Sequence, residues 1–224
     1  EAQLKLNRPQ EAYASFSRAS KADPKNVKSR EYLASMLLLA KKYDMAEKES
    51  QEILRIEPGH VLAREVLAQA LFMGGKRDEG IGTMEGLLKG QNPTEEMYIN
   101  LTQMYMAVGR TPDALALIDR GAALFPKSTR LRFMASDIYA IQEDTPTALR
   151  WAQEAYRVSE GSVSAGVALA MFYARNNMDV LYRGQLADLQ KKHPESPEPY
   201  LLEATILHTK KDLDGALKAA QKAR

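Results

Sequence analysis

Histidine is the residue type in this chain best suited to metal binding or proton transfer, because the sequence contains no cysteine. Its three histidines are His60, His193 and His208, and none has a second ligand residue at the spacing that a helix or a short loop requires. No arrangement of serine, histidine and aspartate typical of a hydrolase can be argued from spacing either. The sequence therefore predicts no catalytic site, no metal ion and no cofactor, and we expect surface roles for the histidines.

A glycine-rich stretch, GGKRDEGIG at residues 74–82, is similar in composition to a phosphate-binding loop. It lacks the Lys-Ser/Thr pair that ends such a loop, and no strand precedes it. The glycines continue along one predicted helix as Gly80, Gly82, Gly86 and Gly90. An interior glycine weakens a helix by about 1 kcal/mol, so this series of glycines needs an explanation. Two interpretations stay open. The helix packs closely against a neighbour, or it forms a flexible joint.

Composition and charge restrict the class of protein. The chain has 224 residues, of which 31 are basic and 29 acidic, and 45% are hydrophobic. This balance is typical of a folded protein and gives no indication of a nucleic-acid partner. No apolar run approaches the roughly 18 residues of a membrane-spanning helix, so we expect no direct membrane insertion. The start at Glu1 favours a fragment or a processed form, and the compartment stays open between bacterial periplasm and cytoplasm.

The elements that would position a binding residue repeat every 34 residues from end to end. One column is small almost throughout: Ala12, Ala46, Gly80, Ala114, Ala148, Tyr182, Ala216. A second small column reads Ala34, Ala68, Thr102, Ser136, Ala170, Ala204, and a leucine or tyrosine column reads Leu37, Leu71, Tyr105, Tyr139, Tyr173, Leu207. Another position carries Pro24, Pro58, Pro126 and Pro194. Such a period predicts stacked structural units.

Each unit is predicted to contain two helices, because its apolar residues follow helical spacing in two blocks. Thr111 and Thr145, just before Pro112 and Pro146, are predicted to cap the second helix of their units. Two antiparallel helices approach closely only where side chains are small, so the two small columns should meet. Tyr182 interrupts the first of these columns, and we expect it to push its two helices apart.

These columns, as in YINLTQMYMAVGRTPDALALIDRGAALFPKS, resemble the tetratricopeptide repeat. The resemblance implies an all-α, right-handed superhelical solenoid of antiparallel helix pairs, whose first helices line a concave face. The whole chain, 1–224, would be one solenoid with complete units at 27–60, 61–94, 95–128, 129–162 and 163–196 and partial units at 1–26 and 197–224. The family's usual tryptophan is replaced by Arg30, Arg64, Tyr98 and Arg132.

The family binds its ligands on the concave face, which predicts where a partner would bind here. That face is unusually rich in methionine and aromatic residues for a surface in contact with water alone. The predicted partner-binding residues are Tyr32, Leu38, Leu39, Val66, Gln69, Phe72, Met73, Ile99, Asn100, Gln103, Met106, Phe133, Met134, Asp137 and Met171. We expect a protein or peptide partner, bound as an amphipathic helix or as an extended apolar segment. The alternative is that curvature or a flanking segment covers these residues.

The resulting prediction is a non-enzymatic scaffold for protein–protein interaction. Two alternatives stay open: an assembly module of a larger bacterial envelope machine for polysaccharide export or secretion, and a repeat region attached to a catalytic domain outside this sequence. Incomplete units at both ends also suggest self-association through open solenoid ends. Basic residues in the turns, among them Lys41, Lys76 and Lys210, are either simply solvated or contact an anionic partner.

Overall fold

The computed structural model describes residues 9–90 and 92–223, and within these ranges every regular element is a helix. The helices are α1 (Pro9–Ala22), α2 (Val27–Leu39), α3 (Tyr43–Ile56), α4 (Val61–Met73), α5 (Arg77–Leu88), α6 (Glu95–Ala107), α7 (Thr111–Leu124), α8 (Thr129–Ile141), α9 (Thr145–Val158), α10 (Val163–Arg175), α11 (Asp179–Lys192), α12 (Pro197–Thr209) and α13 (Leu213–Lys222). The prediction of an all-α solenoid built from antiparallel helix pairs is confirmed.

Two classes of helix alternate along the chain, and each class starts at a fixed interval. The A helices α2, α4, α6, α8, α10 and α12 begin at residues 27, 61, 95, 129, 163 and 197. The B helices α1, α3, α5, α7, α9, α11 and α13 begin at residues 9, 43, 77, 111, 145, 179 and 213. Every start lies 34 residues after the previous start of its class. The 34-residue period of the sequence is therefore also the period of the backbone.

Every A helix ends in the same turn, with one residue in the left-handed conformation. Those residues are Lys41, Gly75, Gly109, Glu143, Asn177 and Lys211. The next N–H donates to a carbonyl five residues earlier, from Lys42 to Leu37 at 2.8 Å and from Asp212 to Leu207 at 3.0 Å. These bonds satisfy carbonyl groups that the helix end leaves unpaired. Only two of the six positions are glycine, so the sequence gives a weak signal for this turn.

Most A helices are capped by the side chain directly before their first residue. Asn26, His60, Thr94, Ser128 and Ser162 each accept a hydrogen bond from the N–H three residues later, at 2.9 to 3.3 Å. His60 accepts through Nδ1, and its Nε2 lies 2.7 Å from Oε1 of Glu31. Histidine is an unusual cap, but its unprotonated ring nitrogen supplies the acceptor that this position needs.

The prediction that Thr145 caps a B helix is wrong. Asp144 is the cap of α9, and its Oδ1 accepts from the N–H of Thr147 at 3.2 Å. Thr145 is already helical, as is Thr111 at the start of α7. The left-handed residue Glu143 ends the preceding turn, so Asp144 is the first residue placed to cap the next helix. The helix thus starts one residue earlier than the proline suggests.

The chain divides into two compact units, residues 1–114 and 115–224, and the division falls within α7. The first unit contains an apolar cluster of Ala34, Leu37, Ala46, Ile53, Ala63, Val66 and Ala70. The second contains Ala148, Ala152, Leu169, Ala170, Phe172, Tyr173, Tyr182, Leu186 and Leu202. Both clusters include members of the two small columns, as expected where A and B helices pack closely.

The arginines at the family's tryptophan position bind backbone carbonyls at the end of the preceding repeat unit. Arg30 Nε donates to the carbonyl of Pro24 at 3.0 Å, and Arg64 donates to that of Pro58 at 2.6 Å. Arg132 is buried and donates to the carbonyl of Ser128 at 2.7 Å. Hydrogen bonds from a charged donor stabilise these connections between units. Polar bonding here takes the place of ring packing.

Tyr182 is accommodated within the core of its unit. Its side chain is 6% exposed and belongs to the same cluster as Ala170, Phe172 and Leu202. Among the described residues its buried hydroxyl has no hydrogen-bond partner. Burial raises the pKa of Tyr182 to about 12, because a phenolate is poorly solvated there.

Tyr182→Phe is expected to raise the free energy of unfolding by about 1 kcal/mol at neutral pH, since an unpaired buried hydroxyl is unfavourable. The wild type should also lose stability in alkali. Because the folded-state pKa of Tyr182 is raised to about 12, the contribution of its neutral phenol is complete below pH about 10. That contribution is lost as pH rises toward 12. Urea unfolding of both proteins at pH 8 and pH 11 should show a wider gap at pH 11; a variant less stable at both values contradicts this account.

Candidate partner-binding face

A cleft of about 720 Å³ lies between α8 and α10, in the unit 115–224. Three pairs of neighbouring A helices pack against each other: α2 with α4, α4 with α6, and α10 with α12. No comparable backbone contact joins α8 to α10 in the described chain; α9 contacts both. The wider separation of these two A helices leaves the cleft open.

The walls of the cleft are mostly apolar. From α8 come Phe133, Ser136, Asp137, Ala140 and Ile141; from α10 come Ala168, Met171, Phe172 and Arg175, followed by Asn176. The three- and four-residue spacing puts each set on one helix face. Ile141 is 74% exposed, whereas Phe133 and Met171 are half-buried. Three predicted residues, Phe133, Asp137 and Met171, thus come together here.

Polar side chains that form no hydrogen bond or close ion pair within the described residues also line the cleft. Asp137 is exposed, but partial desolvation by its surroundings raises the pKa of its carboxyl, while the positive charge of Arg175 acts in the opposite direction. Within residues 9–90 and 92–223, neither side chain forms a hydrogen bond or an ion pair within 4 Å. Ser136 also has a buried hydroxyl with no partner among the described residues. The cleft therefore offers a ligand a carboxylate acceptor and a guanidinium donor.

In the unit 1–114, some predicted residues are accessible. Leu39 is 84% exposed and Met73 is 56% exposed, and Gln103 is exposed as well. Four others are half-buried, namely Leu38, Gln69, Asn100 and Met106. Met73 lines a smaller cleft of about 450 Å³ with the turn residues 41–45. Met134 of the other unit is half-buried on α8 and does not line the larger cleft.

Four predicted residues contribute to packing more than the sequence suggests. Val66 is 5% exposed, Phe72 8% and Ile99 1%. The contacts of α4 with α2 and α6 leave little of this face open to solvent. The ring of Tyr32 stacks on Phe16 of α1, with centroids 4.5 Å apart. The accessible part of the face in this unit is therefore smaller than its sequence pattern indicates.

Basic turn residues pair with carboxylates of their own compact unit, 1–114 or 115–224. Lys76 Nζ lies 2.7 Å from Glu47 Oε1, and Lys210 Nζ lies 2.9 Å from Asp179 Oδ1. Arg110 Nε lies 2.6 Å from Asp113, and its guanidinium also covers the ring of Tyr105 at 4.3 Å. These contacts neutralise part of the positive charge along the turns. They reduce what the turns would offer an anionic partner.

Residues 9–90 and 92–223 contain neither a metal-binding cluster nor a membrane-spanning helix. No group of three or more histidine or acidic side chains there is arranged to hold a metal ion. None of the helices in residues 9–90 and 92–223 combines the length and hydrophobicity of a membrane span.

Comparison with known families identifies the repeat. The profile of the tetratricopeptide repeat family matches residues 1–60 and 103–163, more than half of the chain. This chain belongs to the tetratricopeptide repeat family. Tetratricopeptide repeat proteins are generally non-catalytic scaffolds with protein or peptide partners. No curated protein matches the chain significantly.

Solved tetratricopeptide repeat structures resemble the chain in fold. A repeat protein from Parabacteroides merdae ATCC 43184 matches with a TM-score of 0.67 and 14% identity, covering 99% of this chain and 88% of its own. PilW, a widely conserved type IV pilus biogenesis factor, matches with a TM-score of 0.66 and 18% identity, covering 88% and 92%. YrrB, which has an unusual peptide-binding site, gives 0.52 and 16%, covering 88% and 97%. At these identities the likeness shows the fold alone.

Proposed function

We propose that this tetratricopeptide repeat chain is a non-enzymatic scaffold that binds a segment of a partner protein on the open side of its A helices. The α8–α10 cleft is its principal contact. The observation that carries the proposal is the cleft itself, with apolar walls that include Phe133, Met171 and the 74% exposed Ile141. Burying such walls against apolar side chains is favourable by roughly 25 cal/mol per Å². A bound segment would remove this surface from water.

The dimensions of the cleft support binding of a short segment. Its volume of about 720 Å³ is within the range of roughly 300–1,000 Å³ that ligand pockets occupy. Met171 adds an adaptable wall, since methionine is unbranched and polarizable. The exposed residues Met73 and Gln103 provide a separate contact surface in the unit 1–114.

Selection of displayed random 12-residue peptides on the purified chain tests the proposal. Synthetic copies of the selected peptides are then titrated by fluorescence anisotropy. Ile141→Glu is expected to weaken binding about tenfold, because it places a charge at the apolar wall of the cleft. Val180→Glu, at an 85% exposed position on the B helix α11, is the matched control and should leave affinity unchanged. Failure to select any peptide, or equal weakening by both variants, would contradict the proposal.

A further inference from the structure

We infer that the α8–α10 cleft recognises the backbone of an extended peptide, with Asp137 accepting from one of its N–H groups and Arg175 donating to one of its carbonyl oxygens. This inference rests on the proposed function and adds the chemistry and conformation of the ligand. Two observations carry it. The cleft holds two oppositely charged side chains between apolar walls. Neither side chain forms a hydrogen bond or a close ion pair within the described chain.

The charge of the cleft rim argues against a ligand of one sign. A partner lysine attracted by Asp137 would be repelled by Arg175, and a partner carboxylate would meet the reverse problem. A neutral group that has both a donor and an acceptor satisfies both side chains without this conflict. The peptide group is such a group, because every residue except proline has one backbone N–H and one carbonyl.

The need for an unpaired backbone N–H and carbonyl in the ligand favours an extended segment over a helix. Within an α-helix the backbone N–H and carbonyl groups already bond to each other, so they are not offered to a partner. In an extended segment these groups are unpaired, and alternate side chains point in opposite directions. One side chain can then pack between Phe133 and Met171 while the backbone passes Asp137 and Arg175.

Ser136 contributes to the cleft wall, but its hydroxyl oxygen is not exposed to a ligand. The residue is 1% exposed, and its hydroxyl has no hydrogen-bond partner among the described residues. Asn176, by contrast, donates its side-chain amide to the carbonyl of Phe172 at 2.8 Å, so its donor already has a partner.

N-methylation of the ligand tests the inference. A synthetic 12-residue peptide selected on the full chain is prepared with a single N-methyl group at each position in turn. At least one internal N-methyl group is expected to weaken binding about tenfold, since it removes a hydrogen bond to a charged acceptor. In the Asp137→Ala variant the penalty at that position should fall below about twofold, because the acceptor is then absent. Arg175→Ala should weaken binding about tenfold and leave the N-methyl penalty in place.

Two further measurements complete the test. Raising the salt concentration from 50 to 500 mM is expected to change affinity less than about threefold, because the two rim charges cancel. A stronger salt dependence overturns the inference in favour of a charged ligand. Substitution of the peptide with helix-favouring α-aminoisobutyrate should weaken binding; tighter binding overturns it in favour of a helix.

The inference and the proposed function fail in different ways. Peptides that lose affinity on Ile141→Glu but tolerate every N-methyl group overturn the inference and leave the cleft as a binding site. An N-methyl penalty that persists unchanged in Asp137→Ala also overturns the inference alone. Peptides whose affinity is unchanged by Ile141→Glu overturn both the inference and the proposed function. Asp137, Ile141 and Arg175 are exposed, so these substitutions should leave the fold intact.

Discussion

Met171→Glu is expected to reduce the affinity of a cleft-binding peptide about 100-fold, equivalent to about 2.7 kcal/mol. Met171 is half-buried and forms part of the apolar wall of α10. A bound apolar side chain would exclude water from a glutamate there, which must then keep an unpaired charge or take up a proton, and both are unfavourable. A charged glutamate would also add a second negative charge to the cleft that contains Asp137. Fluorescence anisotropy with a selected peptide measures the loss.

Two controls separate loss of binding from loss of fold. Met171→Leu keeps an apolar side chain of similar size, and its affinity should stay within about threefold of the wild type. Val180→Glu adds the same charge to an exposed position on α11 and should bind normally. Far-ultraviolet circular dichroism should show an unchanged helix content for all three variants. Wild-type affinity in a folded Met171→Glu protein would contradict the assignment of the cleft.

Gly80→Ala is expected to lower the free energy of unfolding by about 2–3 kcal/mol, the usual cost of overpacking. Gly80 lies where α5 crosses α4, and a Cβ atom there would be 2.7 Å from the carbonyl oxygen of Ala68 and 2.7 Å from the backbone nitrogen of Phe72. Backbone atoms cannot move aside as a flexible side chain can, so the helices must separate. Urea denaturation measures the change.

Gly82→Ala and Gly86→Ala, on the same helix, are the matched controls and should each stabilise by about 1 kcal/mol. A Cβ atom at either position would meet nothing within 4 Å. The close-packing interpretation therefore accounts for Gly80, and the flexible-joint hypothesis now concerns Gly82 and Gly86. Stabilisation by all three substitutions would show that α4 and α5 are not in this close contact.

Much of the fold could be predicted from the sequence because the helix boundaries follow a repeated pattern of residue size. The small columns mark where helices cross, as Gly80 and Ala148 show, and the helix starts keep the same 34-residue interval. The residues that cap or end each helix were harder to predict from the sequence. His60 as a cap and Glu143 in a left-handed turn depend on local backbone geometry that many residue types tolerate.

The binding face was harder to predict because it depends on the spacing between neighbouring A helices. A sequence pattern places Phe72 and Ile99 on the same helix face as Phe133, but contacts between A helices leave the first two buried. Substituting Phe72 would therefore disturb the core as well as the face. Ile141 and Arg175 also line the cleft, although they are not among the predicted partner-binding residues. They occupy the same column of the 34-residue repeat as the predicted Leu39 and Met73, so the repeat alignment indicates that they lie on the same face.

The most direct test uses the methionines as probes of the binding face. In a chain labelled with ¹³C-methyl methionine, titration with a selected 12-residue peptide should shift the methyl signal of Met171 most strongly. Met84 and Met97, at 0% and 1% exposure in the other unit, should not shift, and neither should Met45, which is 45% exposed on the B helix α3. Met171→Leu assigns the decisive signal by its absence. A saturable shift of Met171 is the result we predict; saturable binding that shifts Met45 and leaves Met171 unchanged would contradict a binding site in the α8–α10 cleft.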